Sequence, residues 1–395
     1  MRILVANLGS TSLKCQLFSA DAEELDAIGR ANRERVTDHR QAILAVLEEF
    51  KAEGHIKDPS EITAVGFKTV LGRNLSGCVA ADERCLEALD AAATLAPAHN
   101  PPYAAGIRLF QKLLPNATLV ALFETAFYQW IPEAARQYAV PRAWREAGVV
   151  RYGFHGASHK FIAERSAEIL GREDIAERVR GLYHGGADAA SASDRPLRVV
   201  SCHLGGSSSV TGILNGVAIG TSMGLSPQSG LPQNNRVGDL DSMAIPYVMK
   251  TLGLDLAEVE RQLTKESGLL GLSGVSNDVR DIQQAADGGN ADARLAIDHL
   301  IGQIRHWIGA LAFSMGGLDA LVFTAGIGEN DAQVRGAVAS GLESFGLLLD
   351  PARNNAKDRN ERRLSTDDSP VQIWVIPANE EAVVARETYR FLQRA

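Results

Sequence analysis

A short apolar strand, a turn built of glycine and serine, and a second strand occur twice in this chain, roughly 200 residues apart. The first copy is Ile3-Leu4-Val5-Ala6, then Asn7-Leu8-Gly9-Ser10-Thr11-Ser12, then the roughly alternating Leu13-Lys14-Cys15-Gln16-Leu17-Phe18. The second is Arg198-Val199-Val200-Ser201-Cys202, then His203-Leu204-Gly205-Gly206-Ser207-Ser208-Ser209, then Val210-Thr211-Gly212-Ile213-Leu214. Apolar runs bounded by turn residues read as strands. Helical patterns fill the interval: Ala42, Ile43, Val46 and Leu47 share one face, and Ile297, Leu300, Ile301, Ile304 and Ile308 share another. One hairpin returning at such a distance, among helices, predicts a duplicated α/β domain. A third element, residues 319–330, reads as a buried strand running into a glycine turn, with Asp331 capping the helix that follows. Residues 381–392 read as a closing helix, and the small, polar stretch 184–194 as an exposed loop.

Composition narrows the function. A length of 395 residues suggests two or three domains. The net charge is −8 and no basic patch stands out, which argues against a nucleic-acid partner. No run approaches about 18 uninterrupted apolar residues, so no membrane span is expected, and the apolar start is too short for a signal peptide. Cys15, Cys78, Cys85 and Cys202 form no C-x-x-C pair. That spacing supports neither a disulfide framework nor a zinc site, and a reducing cytoplasm is the natural setting. The run Asp358-Arg359-Asn360-Glu361-Arg362-Arg363 mixes signs and reads as a solvated loop.

Glycine and serine turns between strands can aim backbone N–H groups and hydroxyls at phosphate oxygens. Hairpins need glycine anyway, so a single turn leaves both readings open. Three such turns, with Lys14 beside the first and Asp278-Val279-Arg280 elsewhere, point to a nucleotide site.

The blocks Asn7-x-Gly9-Ser10-Thr11-Ser12-x-Lys14 and Arg151-Tyr152-Gly153-Phe154-His155-Gly156-x-Ser158-His159 resemble the two signatures of the acetate kinase family. So do Leu95-Ala96-Pro97-Ala98-His99-Asn100-Pro101-Pro102, Ser267-Gly268-Leu269-Leu270-Gly271-Leu272-Ser273-Gly274 with Asp278-x-Arg280-Asp281, Phe323-Thr324-Ala325-Gly326-Ile327-Gly328-Glu329-Asn330, and Ile376-Pro377-Ala378-Asn379-Glu380-Glu381. The blocks keep the family's order and span nearly the whole chain. The resemblance implies an α/β fold of two duplicated actin-like, sugar-kinase-type (ASKHA) domains with a nucleotide cleft. The expected boundaries are 1–130 plus 382–395 for the first domain and 131–381 for the second.

The resemblance also implies roles. His155 contacts the transferring phosphoryl group, and Arg236 belongs to the carboxylate and phosphoryl site. Asn7 and Glu380 lie near magnesium, with Glu124 ordering it. His99 helps organise the site. ATP or ADP is held by Ser10, Ser12 and Lys14, by the loop His203, Leu204, Gly205, Gly206 and Ser207, and by Asp278, Val279, Arg280, Gly326, Ile327, Gly328, Glu329 and Asn330. Val70, Ala98, Phe154 and Pro227, with Lys68, line the acceptor pocket. The partners implied are a small carboxylate, ATP with Mg²⁺, and a second copy in a homodimer. In-line phosphoryl transfer needs positioning and positive charge about the equatorial oxygens, which fits these residue types.

Four departures mark a diverged member. Gly66-Phe67-Lys68-Thr69-Val70-Leu71-Gly72 stands where the family reads Gly-His-Arg-Val-Val-His-Gly, so Lys68 replaces an active-site arginine. Glu124 replaces an aspartate. Gly206 replaces an asparagine. Gln233-Asn234-Asn235 replaces Met-Gly-Thr before Arg236. Lys68 keeps the charge but loses the bidentate fork. Ala98, usually leucine in members that use acetate, enlarges one wall of the pocket. The expected activity is ATP:carboxylate phosphotransfer to an acyl phosphate, with acetate as the default acceptor. A larger carboxylate such as propionate is one alternative, and nucleotide binding without turnover is another.

Overall fold

The computed structural model describes residues 1–21, 24–73, 75–96, 99–185 and 195–394. Two compact units emerge: Met1–Gln129, Phe154–Phe161 and Asn379–Ala395 form the first, and Trp130–Gly153 and Ile162–Ala378 the second. The short segment Phe154–Phe161, which carries His155, thus groups with the first unit rather than with its sequence neighbours.

The first unit is built on six strands: β1 (Arg2–Gly9), β2 (Ser12–Asp21), β3 (Glu24–Glu34), β4 (Ile62–Thr69), β5 (Cys78–Ala80) and β6 (Thr118–Phe123). They lie in the order β3-β2-β1-β4-β6-β5. β1 to β3 form an antiparallel meander, β4 and β6 run parallel to β1, and β5 closes the edge antiparallel to β6. Ile3, Leu4, Val5 and Ala6 are all buried although successive side chains point to opposite faces, so both faces of the sheet are covered. The helices Asn100–Leu113 and Glu380–Leu392 pack on β1 and β4. Close approach of the latter depends on Gly66 in β4, where a Cβ would fall 2.4 Å from Thr388 Oγ1.

The second unit holds β7 (Arg198–His203), β8 (Ser209–Leu214), β9 (Val217–Thr221), β10 (Ala320–Thr324), β11 (Arg362–Arg363) and β12 (Gln372–Val375). Their order is β11-β12-β10-β7-β8-β9. Read from the β9 edge, this is the ladder of the first unit: an antiparallel meander, two parallel strands, and an antiparallel edge strand. The duplication expected from two hairpins therefore extends to whole sheets, the arrangement of the actin-like and sugar-kinase superfamily. The helix Ala291–Ser314 turns Ala293, Ala296, Ile297, Leu300, Ile304, Ile308 and Leu311 into the core of this unit.

Several local expectations are refined. Residues 319–330 form β10 and then a short helix, Ala325–Asn330, rather than an open turn, because Glu329 Oε1 accepts from the N–H of Ala325 at 2.9 Å. Asp331 caps the next helix, Ala332–Ala339, through Val334 N at 2.9 Å. His184 ends the helix Glu173–Gly185, and residues 186–194 lie outside the described residues. The mixed-charge run at 358–363 is not simply solvated. Glu361 takes a two-pronged bond from Arg165 at 2.7 and 2.9 Å, and Arg362 and Arg363 form β11. Among the described residues no helix is long and apolar enough to cross a membrane.

Candidate active site

In the first unit, charge gathers at the carboxyl ends of the central strands. Lys68 lies near the end of β4, Glu124 directly after β6, and Glu380 opens the helix Glu380–Leu392. Lys68 Nζ donates to Glu380 Oε2 at 2.5 Å and stands 3.1 Å from Glu124 Oε1. The three side chains are 16, 14 and 6 % exposed respectively. Glu124 Oε1 is buried, and the ammonium lies off the line of a well-formed hydrogen bond to it. Burial opposes the charge on Lys68, but the Glu124 and Glu380 carboxylates outweigh it and hold its pKa well above the ordinary value. Burial pushes the Glu124 carboxyl up, against the pull of Lys68.

Glu124 is also tied to the second signature. The backbone N–H of His155 hydrogen-bonds its carboxylate. Gly156 meets its backbone so closely that a Cβ there would lie 1.8 Å from the Glu124 carbonyl oxygen. Tyr128 Oη donates to the Phe154 carbonyl. His155 itself sits at φ 60°, in the left-handed region that costs a non-glycine residue energy and recurs at functional sites. Asn7, on β1, accepts from Tyr103 Oη at 2.7 Å. Val70 and Phe154 are buried; Phe67 is buried edge-on to Phe110 at 5.4 Å and belongs to the core. His99 precedes the helix Asn100–Leu113 as its N-cap residue, and Ser10 and Lys14 are exposed, with Ser12 half-buried. Ala98 lies outside the described residues.

These groups suit magnesium. Two carboxylates converge on one point and an amide oxygen stands on β1, while no cluster of three or more His, Cys, Asp or Glu forms a protein-only cage among the described residues. Magnesium keeps most of its shell as water and phosphate and takes one or two carboxylates from the protein.

The second unit places different material at the equivalent strand ends. A cavity of about 980 Å³ is bordered by Gly205, Gly206, Asp278, Val279, Arg280 and Gly326, with Ile327 and Asn330 beside them. Asp278 caps the helix Val279–Asp287 and pairs with Arg280, whose side chain is 85 % exposed. The remaining expected nucleotide residues support these walls. Leu204 is a core side chain, and its carbonyl accepts from Ile327 N at 2.8 Å and Gly328 N at 3.1 Å, which fastens one glycine turn to the other. The Glu329 carboxylate is engaged by the N–H groups of Ala325 and Ala378, both at 2.9 Å, and so braces the turn. Ser207 and His203 lie in and before the loop; Ser208 Oγ closes it onto Gly205 N at 3.1 Å. Pro227 is half-buried and its carbonyl accepts from Gln233 Nε2 at 3.1 Å. Arg236 is half-buried, burial depresses its pKa, and its Nη1 is buried with no hydrogen-bond partner among the described residues.

Sequence reasoning missed Asn234, Gln283, Asp287 and Arg359, which also border the cavity. Gln283 and Asp287 were findable, since they repeat at helical spacing from Val279. Asn234 was not: its Nδ2 stands 3.2 Å from where a Cβ on Gly206 would lie, so its amide takes the space that a side chain at 206 would use.

The profile of the acetokinase family matches residues 2–386. An acetate kinase of Alkaliphilus metalliredigens is 40 % identical over 98 % of this chain and 99 % of its own. Among solved structures, Porphyromonas gingivalis acetate kinase superposes with a TM-score of 0.84 at 32 % identity, covering 99 % of each chain. A propionate kinase from Francisella tularensis gives 0.82 at 31 %, covering 98 % of this chain and 99 % of its own. Profile, relatives and backbone agree over nearly the full length, and the chain belongs to the acetokinase family.

Proposed function

We propose that this protein transfers the terminal phosphoryl group of ATP to a short carboxylate, reversibly, giving ADP and an acyl phosphate. The observation that carries this reading is Arg236. A buried guanidinium nitrogen without a partner is costly unless an anion completes it, and a carboxylate or phosphoryl oxygen does so. In this reading the glycine-walled cavity of the second unit takes the nucleotide, with Asp278, Val279 and Arg280 toward the adenosine. Gly205 and Gly206 present backbone to the phosphates, with the Asn234 amide in the space a side chain at 206 would use. Lys68, His155 and Arg236 stabilise charge on the moving group, and no covalent enzyme intermediate is needed. Asn7, Glu124 and Glu380 would hold magnesium, which when bound neutralises charge on the transferred phosphate. Val70, Ala98, Phe154 and Pro227 would contact the acid's apolar tail.

A larger acceptor is favoured by Ala98, and one structural relative is named a propionate kinase. The reading includes a two-fold homodimer in the cytoplasm; light scattering that returns the monomer mass would remove the dimer. Trapping acyl phosphate as the hydroxamate, with ATP, Mg²⁺ and a series of short carboxylates, tests the whole. Product with any acid supports phosphotransfer. Nucleotide binding without product from any acid refutes it.

A further inference from the structure

The readings above give Lys68 to the moving group and the acceptor pocket, and the two glutamates to the metal, as separate tasks, yet the three side chains are in contact. We propose that Lys68 is a tethered cation that occupies the Glu124–Glu380 pair until a carboxylate ligand draws it away, so that divalent metal and carboxylate acceptor bind cooperatively. The inference rests on the proposed phosphotransfer only in taking the acceptor to be a carboxylate.

The argument is one of charge in a confined place. The ammonium stands 2.5 Å from one carboxylate and 3.1 Å from the other, with all three side chains mostly withdrawn from water. Among these three side chains one positive charge faces two negative ones, and Glu124 Oε1 lacks a well-formed bond. A divalent cation arriving alone leaves one positive charge in excess. A carboxylate arriving alone leaves two negative ones. Only when both are present do the charges of Lys68, Glu124, Glu380, metal and acceptor cancel. Uncompensated charge in a poorly hydrated site is expensive, so each ligand must favour the other. By linkage the preference is reciprocal. Geometry sharpens the point. An ammonium has three donors on a flexible stem, and Lys68 can release Glu380 and turn to a new carboxylate without leaving its strand. Its partner contact at 2.5 Å is the one such a turn would break.

The test uses the whole chain without nucleotide and reads binding rather than turnover. Mn²⁺ affinity is measured by the EPR signal of the free ion, with acetate or propionate added until the effect levels off and chloride matching the ionic strength. The expected result is that the carboxylate tightens Mn²⁺ binding by about tenfold, within the usual range of coupling between sites. Lys68→Met should bind Mn²⁺ about tenfold or more tighter than wild type in the absence of carboxylate, and lose the response to it. Lys68→Arg, which keeps the charge, should retain the coupling. Wild-type affinity that neither acid alters overturns the proposal, and so does a folded Lys68→Met that binds Mn²⁺ no better than wild type. Should Lys68→Met fail to fold, the wild-type titration decides alone. Absence of acyl phosphate in the hydroxamate assay would refute phosphotransfer but would leave these binding comparisons intact, so the two failures are distinguishable.

Discussion

The two units share one strand order and differ in what stands at the strand ends. In the first, long charged side chains from β4, the turn after β6 and the helix Glu380–Leu392 meet and fill the space. In the second, the equivalent β10 and β12 are followed by Ala325, Gly326 and a bracing contact from Glu329, and a cavity of about 980 Å³ stays open. The ladder of hydrogen bonds is the same; the volume and charge of a few residues decide whether the end of a sheet becomes a compact charged cluster or a berth for a large ligand. In the proposed reading a carboxylate of a few atoms suits the first, and a nucleotide the second.

That division can be broken by experiment. The largest effect is expected at Arg236, where Arg236→Ala should lower turnover by more than about 10²-fold while Mg-ADP still raises the melting temperature. A variant with near-wild-type turnover would end the role assigned to it. Next comes Gly156→Ala. Its new Cβ meets backbone at Glu124, so the carboxylate must move; a shift of about 1 Å can cost about 10²-fold in turnover. Stabilisation by Mg-ADP should survive, because the proposed nucleotide cavity lies in the other unit. If ADP binding disappears while the variant remains folded, the separation of tasks is wrong.

A smaller effect concerns the acceptor. Propionate should match or exceed acetate in kcat/KM for the wild type, and Ala98→Leu should swing the ratio toward acetate by about tenfold, as is usual for one methylene in an apolar pocket. A wild-type preference for acetate of about tenfold that Ala98→Leu leaves untouched would remove the argument for a widened wall. The smallest effect lies in the second unit. If the Asn234 amide serves the phosphates in place of a side chain at 206, Asn234→Gly should weaken Mg-ADP binding by several-fold, the worth of one hydrogen bond. Adding Gly206→Asn should restore it, and calorimetry on the double variant measures the coupling. Two independent, additive losses would show that the two positions do not share one job.

Much of the architecture was legible. Hairpins at 3–18 and 198–214 announced the duplication because β-period patterning and turn chemistry are local. The closing helix and the Asp331 cap were legible for the same reason. What escaped depends on contacts between distant positions. Lys68 and Glu380 are 312 positions apart, and nothing near either says that they touch. The grouping of Phe154–Phe161 with the first unit turns on the fit of Gly156 against Glu124, a matter of tertiary packing. Glu329 sits in a signature that suggests ligand contact, but its carboxylate is committed to two backbone N–H groups, which spacing alone does not disclose.

The helix Glu380–Leu392 has a consequence for how the protein comes to exist. It packs on β1, β4 and β6, yet it is synthesised after the entire second unit. It also brings Glu387, which lies 3.1 Å from Lys160 in a pair with 1 and 0 % exposure. Until Glu387 emerges from the ribosome, this buried pair cannot form. Domains ordinarily fold in the order in which they are made. Here the first unit's closing helix is made last, so the charged cluster at Lys68, which includes Glu380, can be completed only after the whole second unit has been synthesised.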